Sequence, residues 1–119
     1  MTKAKITVTV RMANSSVGIL DIQGEINAFA ESALMDAYND ATTHGAKSII
    51  LNFAGLEFMN SSGIGLLVTM LIRAQRQKQR LLAYGLGEHY QQIFELTRLN
   101  EAITILPDEA AALAAIKIK

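Results

Sequence analysis

The sequence has no cysteine, a single proline and no surplus of charge of either sign. Without cysteine there is no disulfide framework, no thiolate metal site and no mark of an oxidising compartment. Lys+Arg and Asp+Glu each total 11, so the formal net charge is zero. A nucleic-acid-binding surface needs a basic footprint, and none is expected here. Long hydrophobic runs are missing too. The most apolar stretch, residues 64–72, is less than half of the ~20 residues that cross a bilayer. Residues 1–11 alternate Lys and Thr with Ile and Val and lack the continuous apolar centre of a signal peptide. The expectation is a cytoplasmic protein that neither inserts into a membrane nor binds nucleic acid. What is present is a chain of 119 residues, half of them apolar. That suits one domain over residues 1–119, with a core that needs no staples.

Along the chain, strand patterns alternate with helix patterns. Ile6, Val8 and Val10 alternate with Thr7, Thr9 and Arg11, the period of a half-buried strand. The turn cluster Asn14-Ser15-Ser16 leads to a second strand, residues 17–22, which Gly24 is expected to end. Residues 27–43 carry Ala30, Leu34, Ala37 and Ala41 at helical spacing, with Asn27 as N-cap and Gly45 at the C-terminus. Residues 48–53 read as a buried strand, followed by a loop, Ala54-Gly55-Leu56-Glu57, and a helix over residues 61–78. A strand at 81–84, a helix around Tyr90, Ile93, Phe94 and Thr97, a strand at 103–106 and a final helix capped by Asp108 complete the chain. Single helices between strands predict an α/β fold with mostly parallel pairing. The expected sheet is mixed, of about five strands, the first antiparallel to its neighbour, with about four helices mostly on one face.

The informative segment is Phe58-Met59-Asn60-Ser61-Ser62-Gly63-Ile64-Gly65, where a helix opens on two serines and two glycines. Glycine in a helix costs roughly 1 kcal/mol against alanine. A helix N-terminus offers unpaired N–H groups and a positive dipole end, a favourable place for phosphate. The plainer reading is that Asn60 or Ser61 caps the helix and that the glycines allow tight packing. In the helix that follows, Ile64, Leu67, Val68 and Leu71 fall on one face and are expected in the core. Leu66 and Met70 fall on the opposite side, either as a docking surface or beneath a neighbouring helix.

Other candidate chemistry is thin. His44 and His89 lie far apart in polar contexts, so no metal or cofactor site is expected. Asp21 and Glu25 show no sign of the burial that paired acid–base carboxylates need. Gly85-Leu86-Gly87 lacks the third glycine of a dinucleotide fingerprint. The basic run at residues 73–80 suits a solvated helix C-terminus or, alternatively, a docking patch for an acidic partner.

The serine-containing segment resembles the phosphorylation motif of STAS domains, in particular of bacterial anti-sigma factor antagonists. Their pattern is an aspartate, two serines, glycine, an aliphatic residue and glycine, after an aromatic and an aliphatic residue. Gly24-Glu25-Ile26-Asn27, Ile49-Ile50-Leu51-Asn52-Phe53, Ile93-Phe94-Glu95-Leu96-Thr97-Arg98-Leu99 and Asp108-Glu109-Ala110 resemble further segments of that family, in the same order. The resemblance implies a STAS-like fold and a role in partner switching without catalysis. The unmodified antagonist binds an anti-sigma factor that is also a serine kinase, is phosphorylated by it and then released, and a metal-dependent serine phosphatase resets it. It implies Ser61 as acceptor, with Ser62 as the alternative, and Asn27, Asn60, Ser61, Ser62, Gly63, Gly65, Leu66 and Met70 as partner-binding positions. Two positions depart from the pattern: Asn60 and Asn27 stand where the family usually has aspartate. The alternative role is an accessory subunit of a transport or sensory complex, with the same fold and no serine switch.

Overall fold

Residues of alternating polarity become strands, and residues with apolar side chains three and four apart become helices. The computed structural model describes residues 5–117, so the start of the Lys/Thr-rich opening, residues 1–4, lies outside it. In order it has β1 (Ile6–Asn14), β2 (Val17–Ile26), a 3-10 turn (Ala28–Ala30), α1 (Glu31–Thr43), β3 (Ser48–Met59), α2 (Ser61–Arg76), β4 (Arg80–Tyr84), α3 (Glu88–Leu96), a second 3-10 turn (Leu99–Glu101), β5 (Ile103–Leu106) and α4 (Glu109–Lys117). The strands form one sheet in the order β1-β2-β3-β4-β5. β1 runs antiparallel to β2, and the remaining pairs are parallel.

The pleat divides the sheet's side chains between two layers. Leu20, Ile22, Ile49, Leu51, Phe53 and Leu81 pack with α1, α2 and α3 in the main core. Their strand neighbours Val17, Ile19, Ile50, Leu82 and Tyr84 pack on the other face with Ala112 of α4. Three helices therefore share one face and α4 covers the second, a mixed five-stranded sheet of the expected kind.

The strand ends differ from expectation. β2 continues through Gly24 to Ile26, and the expected loop at residues 54–57 is part of β3. These extensions pair with each other: Gln23 with Gly55, Gly24 with Leu56, Glu25 with Phe58 and Ile26 with Met59. Gly55 read as a loop residue, but a Cβ there would lie 3.0 Å from the Ile22 carbonyl oxygen and 2.8 Å from Gln23 Cγ, so glycine lets the two backbones approach. The first helix opens as a 3-10 turn before α1 begins at Glu31, and α2 ends at Arg76, two residues early. The α4 cap is as expected, with the Ala111 N–H donating to Asp108 Oδ1 at 2.8 Å.

A polar cluster fastens α4 to the sheet. Arg11 of β1 donates to Asp21 of β2 and, at 2.8 Å, to Glu109 of α4. Asn52 of β3 donates to Asp21 at 2.8 Å, and the Tyr84 hydroxyl of β4 donates to Glu109 at 2.9 Å. The guanidinium of Arg11 holds both carboxyls below their usual range, while burial, followed by the bond to Glu109, pushes Tyr84 up to about 12. A carboxyl with a lowered folded-state pKa stabilises the fold above its ordinary range, and that contribution is lost as the pH falls through the lowered value. The melting temperature of the wild type should therefore drop on acidification below about pH 4. In Arg11→Ala this acid-sensitive part should shrink, as thermal unfolding at a series of pH values would record.

Candidate functional site

The site forms where the carboxyl ends of β2 and β3 meet the start of α2. The Asn60 N–H donates to the Ile26 carbonyl at 3.2 Å, joining the loop after β2 to the loop after β3. On the far side, the Tyr90 hydroxyl of α3 accepts the Met59 N–H at 3.0 Å and holds the end of β3. Each loop then enters its helix through an asparagine. Asn27 Oδ1 accepts from the Phe29 N–H at 2.9 Å, and Asn60 Oδ1 accepts from the Gly63 N–H at 3.0 Å. The two positions where the family usually carries aspartate thus lie on adjoining loops, and here both are neutral amides that act as caps. Asn60→Ala should cost about 1 kcal/mol of stability, while Asn60→Asp, an equally good cap, should cost little. Urea unfolding of both variants checks this.

Ser61 and Ser62 are the first two residues of α2, and both are exposed. Ile64 makes the first intrahelical bond, back to Asn60, so the Ser61 and Ser62 amides have no partner among the described residues. No acidic residue stands in this first turn. The positive end of the helix therefore faces solvent beside two hydroxyls, with no carboxylate within the turn to compete for it.

The two glycines of the motif have different surroundings. Gly63 is buried, and a Cβ there would lie 2.1 Å from the Ile26 carbonyl oxygen. Gly65 is exposed, and a Cβ there would meet nothing within 4 Å. The close seat of Gly63 sets the rotation of α2. Its buried stripe is Gly63, Leu67, Met70, Leu71 and Ala74. Met70, expected on the outer face, is 0% exposed and belongs to the core. Ile64 and Val68, expected in the core, are half-buried at the flank, as is Leu66. The outward side of α2 carries Ser61, Ser62, Gly65, Thr69 and Ile72.

Two aromatic residues of this region carried no site expectation in the sequence. Phe29, two residues after Asn27, is 55% exposed, and Phe58, two residues before Asn60, is 49% exposed. Phe58 stands at the aromatic position of the motif, while Phe29 had no signal beyond its place two residues after a cap. Exposed aromatic side chains are enriched in the cores of protein interfaces. His44 and His89 are exposed surface residues, His44 pairing locally with Asp40 at 3.1 Å. Among the described residues no three His, Cys, Asp or Glu side chains converge as metal ligands, and no helix is long and apolar enough to cross a membrane.

Fold and site together define a small α/β domain whose distinctive feature is a helix start carrying a serine pair in a partly apolar surface. The family model for the STAS domain matches residues 9–112, and the chain belongs to that family. It is 23% identical over 84 residues to the anti-sigma-B factor antagonist of Staphylococcus aureus, covering 71% of this chain and 78% of that one. Among solved structures it resembles an anti-sigma factor antagonist from Mycobacterium paratuberculosis, with a TM-score of 0.80, 20% identity and coverage of 98% of this chain and 99% of that one. It also resembles the Bacillus cell fate determinant SpoIIAA in its phosphorylated form, with a TM-score of 0.73, 20% identity and coverage of 93% and 100%.

Proposed function

We propose that this chain is an anti-sigma factor antagonist, acting in the cytoplasm as a single non-catalytic domain of a partner-switching pathway. Unmodified, it binds an anti-sigma factor that is also a serine kinase; phosphorylated on Ser61, it releases that partner; a metal-dependent serine phosphatase returns it to the binding form. The observation that carries the reading is the exposed serine pair at the start of α2, with unpartnered amides and no acid in the first turn, on a surface whose adjoining segments also carry the exposed Phe29 and Phe58. The names of the relatives, antagonists of anti-sigma factors, and the phosphorylated form of one structural neighbour point the same way.

In this reading the partner lies over the outward side of α2. Gly65 leaves that side flat, which explains why a residue costing roughly 1 kcal/mol of helix stability occupies a place with no steric need for it. Leu66 forms the apolar flank, and Asn27 and Asn60 form the neutral rim. Met70 acts from beneath, by holding α2 in place. The test is a titration of the purified chain with the anti-sigma factor kinase from the same cell. A saturable complex is expected, and Phe58→Ala should weaken it by about tenfold or more, since truncating a buried aromatic anchor commonly costs over ~1.4 kcal/mol. No complex, or one indifferent to Phe58 and Ser61, would move the accessory-subunit role to first place.

A further inference from the structure

The far edge of the sheet carries a second surface. β1 is the outermost strand, and no other described strand pairs with its outer side. Its hydrogen-bonding phase follows from one bond: the Glu25 N–H donates to the Lys5 carbonyl at 2.8 Å. In an antiparallel ladder the residues bonded to the partner alternate. Thr7, Thr9 and Arg11 therefore bond β2, and Ile6, Val8 and Val10 turn their N–H and C=O groups outward. An open edge with no proline and no charge from Ile6 to Val10 is a template for another strand. Beside it runs an open groove of ≈ 600 Å³, lined by Val8, Val10, Ala33 and Ala37 together with Asp36 and Asp40. α1 carries Glu31, Asp36 and Asp40 and neither lysine nor arginine.

We propose that this edge is a docking site for an extended basic segment of a partner protein, which adds to the sheet as a sixth strand. Its backbone would bond Ile6, Val8 and Val10, its apolar side chains would enter the groove, and its lysines or arginines would pair with Asp36 and Asp40. Strand addition of this kind takes affinity from the main chain and specificity from alternate side chains. The charge of α1 selects the occupant. A second copy paired edge to edge would bring two α1 helices together, each with Asp36 and Asp40 along the groove, and like charges so placed repel. A basic strand meets the same groups with complementary charge. The proposal concerns a surface other than the Ser61 face and does not rest on the switch.

The test uses the full chain and a short fluorescent synthetic peptide with valine and lysine at successive groove-facing positions and threonine between them. A control peptide has glutamate for lysine. The basic peptide should raise the anisotropy saturably and slow hydrogen exchange at the Ile6, Val8 and Val10 amides, and the acidic one should bind at least about tenfold more weakly. Val8→Pro removes an outward N–H while leaving the ladder to β2, and Asp36→Lys with Asp40→Lys leaves the edge intact. Each variant should weaken binding by about tenfold or more, the aspartate variant with an unchanged melting temperature and the Val8 variant still folded after the loss of one half-buried side chain. Absence of binding, equal binding of both peptides, indifference to the aspartate reversal in a folded variant, or sedimentation showing a dimer closed through this edge would overturn the proposal.

Discussion

Ser61→Asp should bind the anti-sigma factor at least about a hundredfold more weakly than wild type, and Ser61→Ala should bind it constitutively. The sign follows from the place of the hydroxyl. In the free domain a phosphate on Ser61 adds about −1.5 to −2 charge beside unpartnered amides and the positive end of α2. There it favours the fold by ~0.3–1 kcal/mol. In the proposed complex, formed around a neutral serine, the same charge would be desolvated without a matching cation, at a cost of several kcal/mol. The expected effect of modification is therefore a domain that stays folded and a complex that comes apart. Ser61→Asp carries less charge than phosphate and sets the lower bound of the effect. Its melting temperature should stay close to that of the wild type, which separates loss of binding from loss of fold. Calorimetric titration of the three proteins with one preparation of partner gives the affinities directly.

Gly63→Ala and Gly65→Ala should change stability in opposite directions, although only one residue separates them. At Gly63 the new Cβ would sit 2.1 Å from the Ile26 carbonyl oxygen and 2.8 Å from the carbonyl carbon. Neither atom belongs to a flexible side chain, so α2 must move away from β2. That movement breaks the bond from the Asn60 N–H to the same oxygen and loosens Leu67 and Met70 in the core. The expected loss is about 2 kcal/mol or more, after the helix gains from alanine, since forced backbone shifts in a packed core cost ~1–3 kcal/mol and a broken bond adds to this. At Gly65 nothing opposes the Cβ, and alanine should stabilise the domain by up to about 1 kcal/mol. The same methyl stands on the proposed docking side, so Gly65→Ala should be more stable and bind more weakly. Urea unfolding of both variants, with a titration of the second, reports both quantities.

The architecture was legible in the sequence because its signals are local. The alternation in Ile6, Val8 and Val10, the apolar run at residues 49–51 and the helical spacing of Leu34, Ala37 and Ala41 each depend on a few neighbouring side chains. Three features were not legible, and each has a non-local cause. β3 runs on to Met59 because Gly55 brings it against β2, whereas the same glycine in isolation signals a loop. The apolar pattern misplaces the phase of α2, because Ile64 and Val68 carry apolar weight and Gly63 carries none. Yet the close seat of Gly63 on Ile26 decides which side faces in, and it places Met70 in the core. The exposure of Phe29 and Phe58 depends on how β2, β3 and the two helix starts come together, which no local pattern encodes. At the site itself the helix start marked a favourable place for a phosphate, and the resemblance to STAS domains implied Ser61, or Ser62, as the residue to carry it. The meeting of Asn27 and Asn60 on adjoining loops needed the fold.

In the proposed switch, one charge on Ser61 decides whether the partner is held. The most direct measurement incubates the chain with its cognate kinase and ATP, maps the modified residue by peptide mass spectrometry and titrates the modified and unmodified forms with the same anti-sigma factor. Phosphate on Ser61, with affinity lowered by at least about a hundredfold and the melting temperature retained, is the predicted result. Phosphate confined to another residue, or full affinity with Ser61 modified, would contradict it.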